Sequence, residues 1–203
     1  MTASSDQAPA GRGRPRDPRT EEAITEAARR LLARDGYEQV SIEAIAREAD
    51  VSRPTVYRRW PSKTHLVFDA VFGAAEVGDV LTSSGDFEAD LRRFVAAVFD
   101  FWRAPEVAAA ALGILADRHR DPELFIRTQQ LLDVTTRTAF SELIRAGIDQ
   151  GALDDDVDVE IAYDALVGTS FYIAQVLSPD AVDGVADRLC SLLLRGAQRK
   201  GER

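Results

Sequence analysis

The chain has one cysteine, Cys190, and two histidines, His65 and His119, among its 203 residues. A lone cysteine excludes an intramolecular disulfide and any cysteine-based metal cluster. Two histidines are too few for most zinc sites and catalytic triads. Neither a GxSxG elbow nor a glycine-rich phosphate loop occurs, so no familiar catalytic signature supports an enzyme and no cofactor is expected. No apolar run approaches the roughly 20 residues that cross a bilayer, so no membrane partner is expected. Residues 1–13 are polar and lack the apolar centre of a secretory signal, which leaves the cytoplasm as the expected location. Strand-like alternation, internal repeats and sustained heptads are also missing.

What remains is an ordinary globular balance, 45% hydrophobic and 29% charged, with a lopsided charge distribution. The net charge is −9, yet residues 1–66 hold 12 Lys/Arg against 10 Asp/Glu while the rest hold 13 against 24. Two short stretches carry basic charge without any acid: Gly11 to Arg16, and Val51 to His65 with Arg53, Arg58, Arg59 and Lys63. A phosphate backbone would attract those stretches and repel the remainder, which implies two jobs for two regions.

The pattern is all-α, with about nine helices. Residues 1–16 read as a flexible basic arm. Asp17-Pro18 opens a helix with an N-cap and a proline at the first helical position. Ile24, Ala27, Ala28, Leu31 and Leu32 make its apolar stripe, and Gly36 ends it. Ser41 caps a short second helix that buries Ile42, Ile45, Ala46 and Ala49. Asp50-Val51 turns the chain, and Ser52 starts a third helix running to about Trp60, with Pro54 tolerated in its first turn. Pro61 stops it and Ser62 caps a fourth. Beyond Gly85 the amphipathic segments run approximately 86–103, 105–118, 122–150, 157–177 and 180–199, punctuated by the Asp-Pro and Pro-Asp pairs at 121–122 and 179–180.

Two short helices joined by a tight turn, here about 41–60, form the minimal unit that places a helix in the major groove. Val56 and Trp60 lie four apart and face the core. Arg53, Pro54 and Tyr57 lie towards the other side. An arginine near the helix start can reach guanine O6 and N7 bidentately. Thr55, Tyr57, Arg58, Arg59 and Lys63 offer hydroxyls and cations suited to phosphates, which position a protein on DNA without specifying sequence.

Ile45-Ala46 with Ala49, followed by Val51-Ser52-Arg53-Pro54-Thr55-Val56-Tyr57-Arg58-Arg59-Trp60-Pro61-Ser62-Lys63 and Leu66, resembles the signature of TetR-type transcriptional regulators. The resemblance covers about residues 17–78, a helix-turn-helix DNA-binding domain, and leaves 79–203 as a helical ligand-binding and dimerisation domain. Two positions depart from the family pattern. Asp50 replaces the usual Gly, which is tolerable because Asp also visits left-handed conformations. Trp60 replaces a commoner Phe.

The resemblance implies an all-helical homodimer, usually a repressor, on double-stranded DNA with a palindromic operator. It implies that Arg53, Pro54 and Tyr57 meet bases or adjoining backbone, and that Ser41, Ser52, Thr55, Arg58, Arg59 and Lys63 serve mainly phosphates. Arg14, within Arg12-Gly13-Arg14-Pro15, has the core of a minor-groove AT-hook, against which stands a plain solvated tail.

The last two helices, with Leu166, Phe171, Ile173, Val176, Leu177, Val182, Val185, Leu189, Leu192, Leu193 and Leu194, are the dimerisation candidates, as an intersubunit four-helix bundle. Residues 86–150 carry Phe87, Phe94, Phe99, Phe101, Trp102, Phe125 and Phe140, which suit either plain core or an apolar cavity for an unknown small-molecule effector. Trp102, His119, Gln129 and Tyr163 are the candidate ligand contacts, because each combines apolar area with a hydrogen bond. Cys190, among leucines, reads as a buried small hydrophobe. Asp154-Asp155-Asp156 reads as helix-boundary charge rather than a cation site. An architectural protein that coats DNA is the rival DNA-binding reading, and the acidic C-terminal region argues against it.

Overall fold

The periodic stripe of the first helix drives the packing of everything around it. In the computed structural model, which describes residues 18–73, 83–177 and 184–197, α1 spans Pro18–Asp35 and buries Ile24, Ala27, Ala28, Leu31 and Leu32. Asp17, the expected cap, and the arm before it lie outside the described residues. Gly36 ends α1 at φ +78°, a conformation without Cβ strain only for glycine. Three short helices follow: α2 (Ile42–Glu48), α3 (Arg53–Tyr57) and α4 (Lys63–Phe72).

The second half contains α5 (Phe87–Arg103), α6 (Pro105–Arg118), α7 (Pro122–Gln129), α8 (Thr136–Asp149), α9 (Val159–Val176) and α10 (Val185–Ala197). Ten α-helices and no strand lie among the described residues. The boundary expected near residue 78, and Pro179, Asp180 and Val182, fall outside them. Asp86, Asp121 and Asp158 each cap the helix they precede with a side-chain oxygen. Next to the first of these, buried Asp90 accepts from the Ser84 backbone and from the Ser83, Ser84 and Arg93 side chains. The Ser84 hydrogen bonds hold its carboxyl down at about 2.

The single helix expected over 122–150 is two helices separated by a wide π turn at Gln130–Thr135. No Pro or Gly marks the break. Val134, Thr135 and Thr136 are β-branched and crowd a regular helix. Thr135 Oγ1 also donates to the Gln130 carbonyl at 3.1 Å and Thr138 Oγ1 to that of Val134 at 2.7 Å. The wide turn re-aims the chain. Leu124 of α7 packs with the N-terminal helices, whereas Ala139, Phe140 and Ile144 of α8 face a second cluster.

Two apolar clusters result, and their division does not follow the chain. One joins α1 to α4 with α6, through Val107, Ala110, Ala111 and Ile114, and with Trp102 of α5. The other joins α5, α8, α9 and α10 around Phe94, Phe140, Tyr163, Leu166 and Cys190. Thus α6 belongs by packing to the N-terminal helices.

Gly113 permits that approach. A Cβ there would stand 2.4 Å from two ring carbons of Tyr37. Because the ring is buried and hydrogen-bonded, it has little room to yield. Gly113→Ala should therefore destabilise the fold by about 1–3 kcal/mol through overpacking, read as a lowered denaturant midpoint; an unchanged midpoint would show that α6 and Tyr37 separate freely.

Candidate nucleic-acid interface

The reading unit is assembled by caps and one strained residue. Ser41 Oγ accepts from the Ala44 backbone N–H at 3.1 Å and starts α2. Asp50 turns the chain at φ +53°, the only non-glycine residue at positive φ among those described. The tolerance expected of Asp at this position is what the backbone uses. Val51 N–H then donates to the Ala46 carbonyl at 2.9 Å and closes the turn. Ser52 occupies the N-cap position of α3, but its hydroxyl meets Thr55 Oγ1 at 2.9 Å instead of capping the backbone.

The third helix is a short stub. Its α-helical part ends at Tyr57, and Arg59 and Trp60 continue it through backbone bonds to the Val56 carbonyl. Val56 and Trp60 are buried, as their spacing required. Ser41, Ser52, Arg53, Pro54 and Arg58 are exposed, and Tyr57, at 49% exposure, stands out as a half-bare aromatic.

Not every cation of the basic stretch reaches outwards. Arg58 Nη2 donates to Thr55 Oγ1 at 3.0 Å, so Ser52, Thr55 and Arg58 form one polar chain along the exposed face. The Arg59 side chain is only 14% exposed and lies back across α3, with Nε 3.8 Å from Glu21 of α1. Lys63 Nζ donates to the Tyr37 carbonyl at 3.0 Å and sits 4.0 Å from the centre of that ring. Arg14 lies outside the described residues.

Two polar junctions, neither anticipated from the sequence, tie this unit to the rest of the protein. At the first, Tyr37 Oη donates to Asp117 Oδ2 of α6 at 2.8 Å, and Thr64 Oγ1 donates to the same oxygen at 2.6 Å. The Thr64 hydrogen bond, then that of Tyr37, holds the Asp117 carboxyl below its usual range. Burial is the main cause that pushes the Tyr37 hydroxyl up to about 12. At the second, Trp60 Nε1 donates to Asp69 Oδ2 at 2.7 Å, and Arg127 of α7 binds the other oxygen of Asp69. Arg127 also covers the Phe68 ring at 4.9 Å.

One signal for the second junction was present. A buried indole N–H needs an acceptor, and a Phe at that position would not.

The four candidate ligand contacts are not brought together. Trp102 belongs to the first cluster, where its ring meets Phe171 edge-on at 5.0 Å, and Tyr163 belongs to the second. His119 and Gln129 are exposed. Of the dimerisation candidates, Leu166, Ile173, Leu189 and Leu194 are buried within the chain, and Val176, Leu177 and Leu192 are exposed. Among the described residues no group of three metal-ligating side chains clusters, and no helix is long and apolar enough to cross a membrane.

The profile described as bacterial regulatory proteins, tetR family, matches residues 24–70, and that of the tetracyclin repressor-like C-terminal domain matches residues 81–193. The chain belongs to the TetR family. Among its relatives, the HTH-type transcriptional regulator YdeS of Bacillus subtilis is 26% identical over 92% of this chain and 94% of its own length. AqdR of Rhodococcus erythropolis, also an HTH-type transcriptional regulator, is 23% identical over 91% of this chain and 88% of its own. The solved structure of the TetR family transcription regulator SCO0332 superimposes with a TM-score of 0.67 at 27% identity, covering 89% of this chain and 99% of that one. The fatty acid degradation regulator FadR of Bacillus halodurans shares the fold, with a TM-score of 0.69 at 20% identity over 89% of this chain and 97% of its own. This TetR-family protein is thus a helix-turn-helix, DNA-binding transcriptional regulator.

The Tyr37 junction yields a titration test. The hydroxyl ionises near 10 when free and near 12 when folded. Between those values the folded state holds the proton longer than the unfolded chain, so this contribution to stability is complete below pH 10 and is lost as pH rises towards 12. Tyr37→Phe should cost about 1 kcal/mol at neutral pH and flatten the alkaline loss. Urea unfolding of both proteins across that window checks it; parallel alkaline slopes would remove Tyr37 as its source.

Proposed function

We propose that this regulator is a homodimeric repressor, acting in the cytoplasm, which leaves a palindromic operator when a small apolar ligand binds its C-terminal helices. The observation that carries the DNA-reading part is the exposed face of α3. Arg53, Pro54 and Tyr57 point to solvent while Val56 and Trp60 anchor the same helix in the core. A helix so anchored presents a fixed set of groups to base edges, with Arg53 suited to guanine. Ser41, Ser52, Thr55 and Arg58 then flank it as phosphate contacts. Lys63 spends one of its three N–H groups on the Tyr37 carbonyl and keeps two for a phosphate. Arg59, folded towards Glu21, contributes mainly its charge. Arg14 would follow the minor groove from the arm.

Dimerisation through the last two helices is supported by a stripe along α9. Ile161, Ala165, Gly168, Tyr172 and Val176 are all exposed, at spacings of four, three, four and four residues. Leu192 of α10 is exposed as well. Five positions on one helical face, small in the middle and apolar throughout, let a second copy approach closely. This stripe is distinct from the buried leucines that the sequence pattern also offered.

An effector is supported by Gln175. Its amide nitrogen is buried without a hydrogen-bond partner, one helical turn from Phe171, whose ring meets Trp102. A buried donor left unsatisfied costs stability unless a ligand supplies an acceptor. In the proposed release, a ligand acts only by binding the DNA-incompetent arrangement more tightly. The Asp117 and Asp69 junctions would carry movement of α6 and α7 into α4 and hence into α3.

Selection of bound fragments from random duplex DNA tests the reading directly, and a symmetric site is the expected result. Arg53→Ala should then relax preference at one base pair and cost about 1–3 kcal/mol per half-site. Equal losses on the selected site and on random duplex would exclude base reading by Arg53. Tyr172→Asp should convert the dimer to monomer in sedimentation equilibrium at micromolar concentration, and an intact dimer would move the interface away from α9.

A further inference from the structure

The reading surface contains an acid. Glu43 lies in the first turn of α2, outside the acid-free stretch of sequence, yet folding sets its Oε2 3.8 Å from Nη1 of Arg53. The two side chains are 68% and 57% exposed. A loose pair so open to water adds little to folding, and its position on Arg53, the residue proposed to read bases, calls for another account.

A duplex docked on α3 strips water from Glu43 and surrounds it with phosphates of its own sign. The carboxylate is then tolerated only where it meets a donor. The donors on the major-groove edge are the amines of cytosine N4 and adenine N6, and a carboxylate pairs with cytosine. Arg53 favours guanine O6 and N7. Since guanine pairs with cytosine, a base that satisfies Arg53 brings a cytosine amine into the same base pair.

We infer that Glu43 is a specificity-determining residue that works with Arg53 to read a G·C pair, the arginine on guanine and the carboxylate on cytosine. Where the pair is wrong, Glu43 is left desolvated among phosphates and the protein is repelled. Its main effect is to weaken binding to non-cognate DNA. The inference rests on the DNA-reading proposal above and adds to it a residue that opposes binding, at a position where positive charge alone would be the simplest design.

The experiment compares affinities of the full-length protein for two duplexes of equal length at about 0.1 M monovalent salt. One duplex is the sequence most enriched by selection from random DNA, and the other is its scrambled counterpart. Glu43→Gln removes one charge from the phosphate environment. It should tighten binding to the scrambled duplex by about eightfold at that salt and steepen its log–log salt dependence by about 0.9. Binding to the selected duplex should change by less than about twofold, because there the gain from the lost charge is offset when a charge-assisted hydrogen bond to cytosine becomes a weaker neutral one. The ratio of the two affinities therefore falls several-fold, and a selection repeated with Glu43→Gln shows a weakened cytosine preference at one position of each half-site.

Glu48→Gln is the control for charge alone. Glu48 sits at the other end of α2, 3.5 Å from Arg30 of α1, and its loss should leave the ratio unchanged. If Glu43→Gln shifts both duplexes by the same factor, or shifts neither, the inference is overturned and Glu43 is a helix-end charge. If wild-type protein binds both duplexes equally, the DNA-reading proposal itself fails. Glu43→Gln faces solvent, and far-ultraviolet dichroism with a melting curve verifies that it folds.

Discussion

A buried indole must give its N–H to an acceptor, and here that requirement sets the join between the DNA-reading unit and the rest of the protein. Trp60 ends the reading stub and is almost wholly enclosed. Its partner, Asp69, is itself a charge near apolar surroundings and needs a cation, which Arg127 supplies from α7. Each member of the chain answers a cost created by the previous one: an unsatisfied donor, then an unbalanced carboxylate. Removing the middle member would strand both ends. The Asp117 junction repeats this logic on the other flank of α4, with two hydroxyl donors on one carboxylate oxygen. The fourth helix is therefore held at both flanks by polar groups with strict geometry, while its apolar side chains fill the core between them.

Much of the reading unit was legible in sequence because its determinants are local. Ser41 caps because of what lies three residues ahead, Gly36 and Asp50 turn because of their own backbone freedom, and Val56 and Trp60 are buried because they sit one helical turn apart. Family resemblance then added DNA as the partner, which helical periodicity alone does not imply. The junctions were illegible for the opposite reason. Tyr37 and Asp117 stand 80 positions apart, and Asp69 and Arg127 stand 58 apart. Nothing near any of them in the chain announces the other.

The π turn carries no proline or glycine to mark it in sequence, and arises from crowded β-branched side chains and threonine back-bonding. The basic stretch was legible as charge but not as direction. Arg53 and Arg58 point outwards, whereas Arg59 and Lys63 are turned partly inwards by Glu21 and by Tyr37. The acid-free run likewise hides Glu43, which is ten residues before Arg53 in sequence and adjacent to it in space. Of the candidate ligand contacts, Trp102 and Tyr163 fall in different clusters, because aromatic content marks apolar mass without saying which of two cores receives it.

The packing of α6 has a consequence for modular engineering. Chimeric regulators are built by grafting one protein's reading head onto another's sensing domain, and the natural place to cut is the sequence boundary after the fourth helix. In this protein that cut would divide a single apolar cluster, leaving Tyr37 without the bare backbone of Gly113 beneath its ring and Leu66 and Phe68 without Val107, Ala110 and Ile114 in the same core. A transplantable head here needs α6 besides α1 to α4, and with it Trp102 of α5 and Leu124 and Arg127 of α7, so it is discontinuous along the chain.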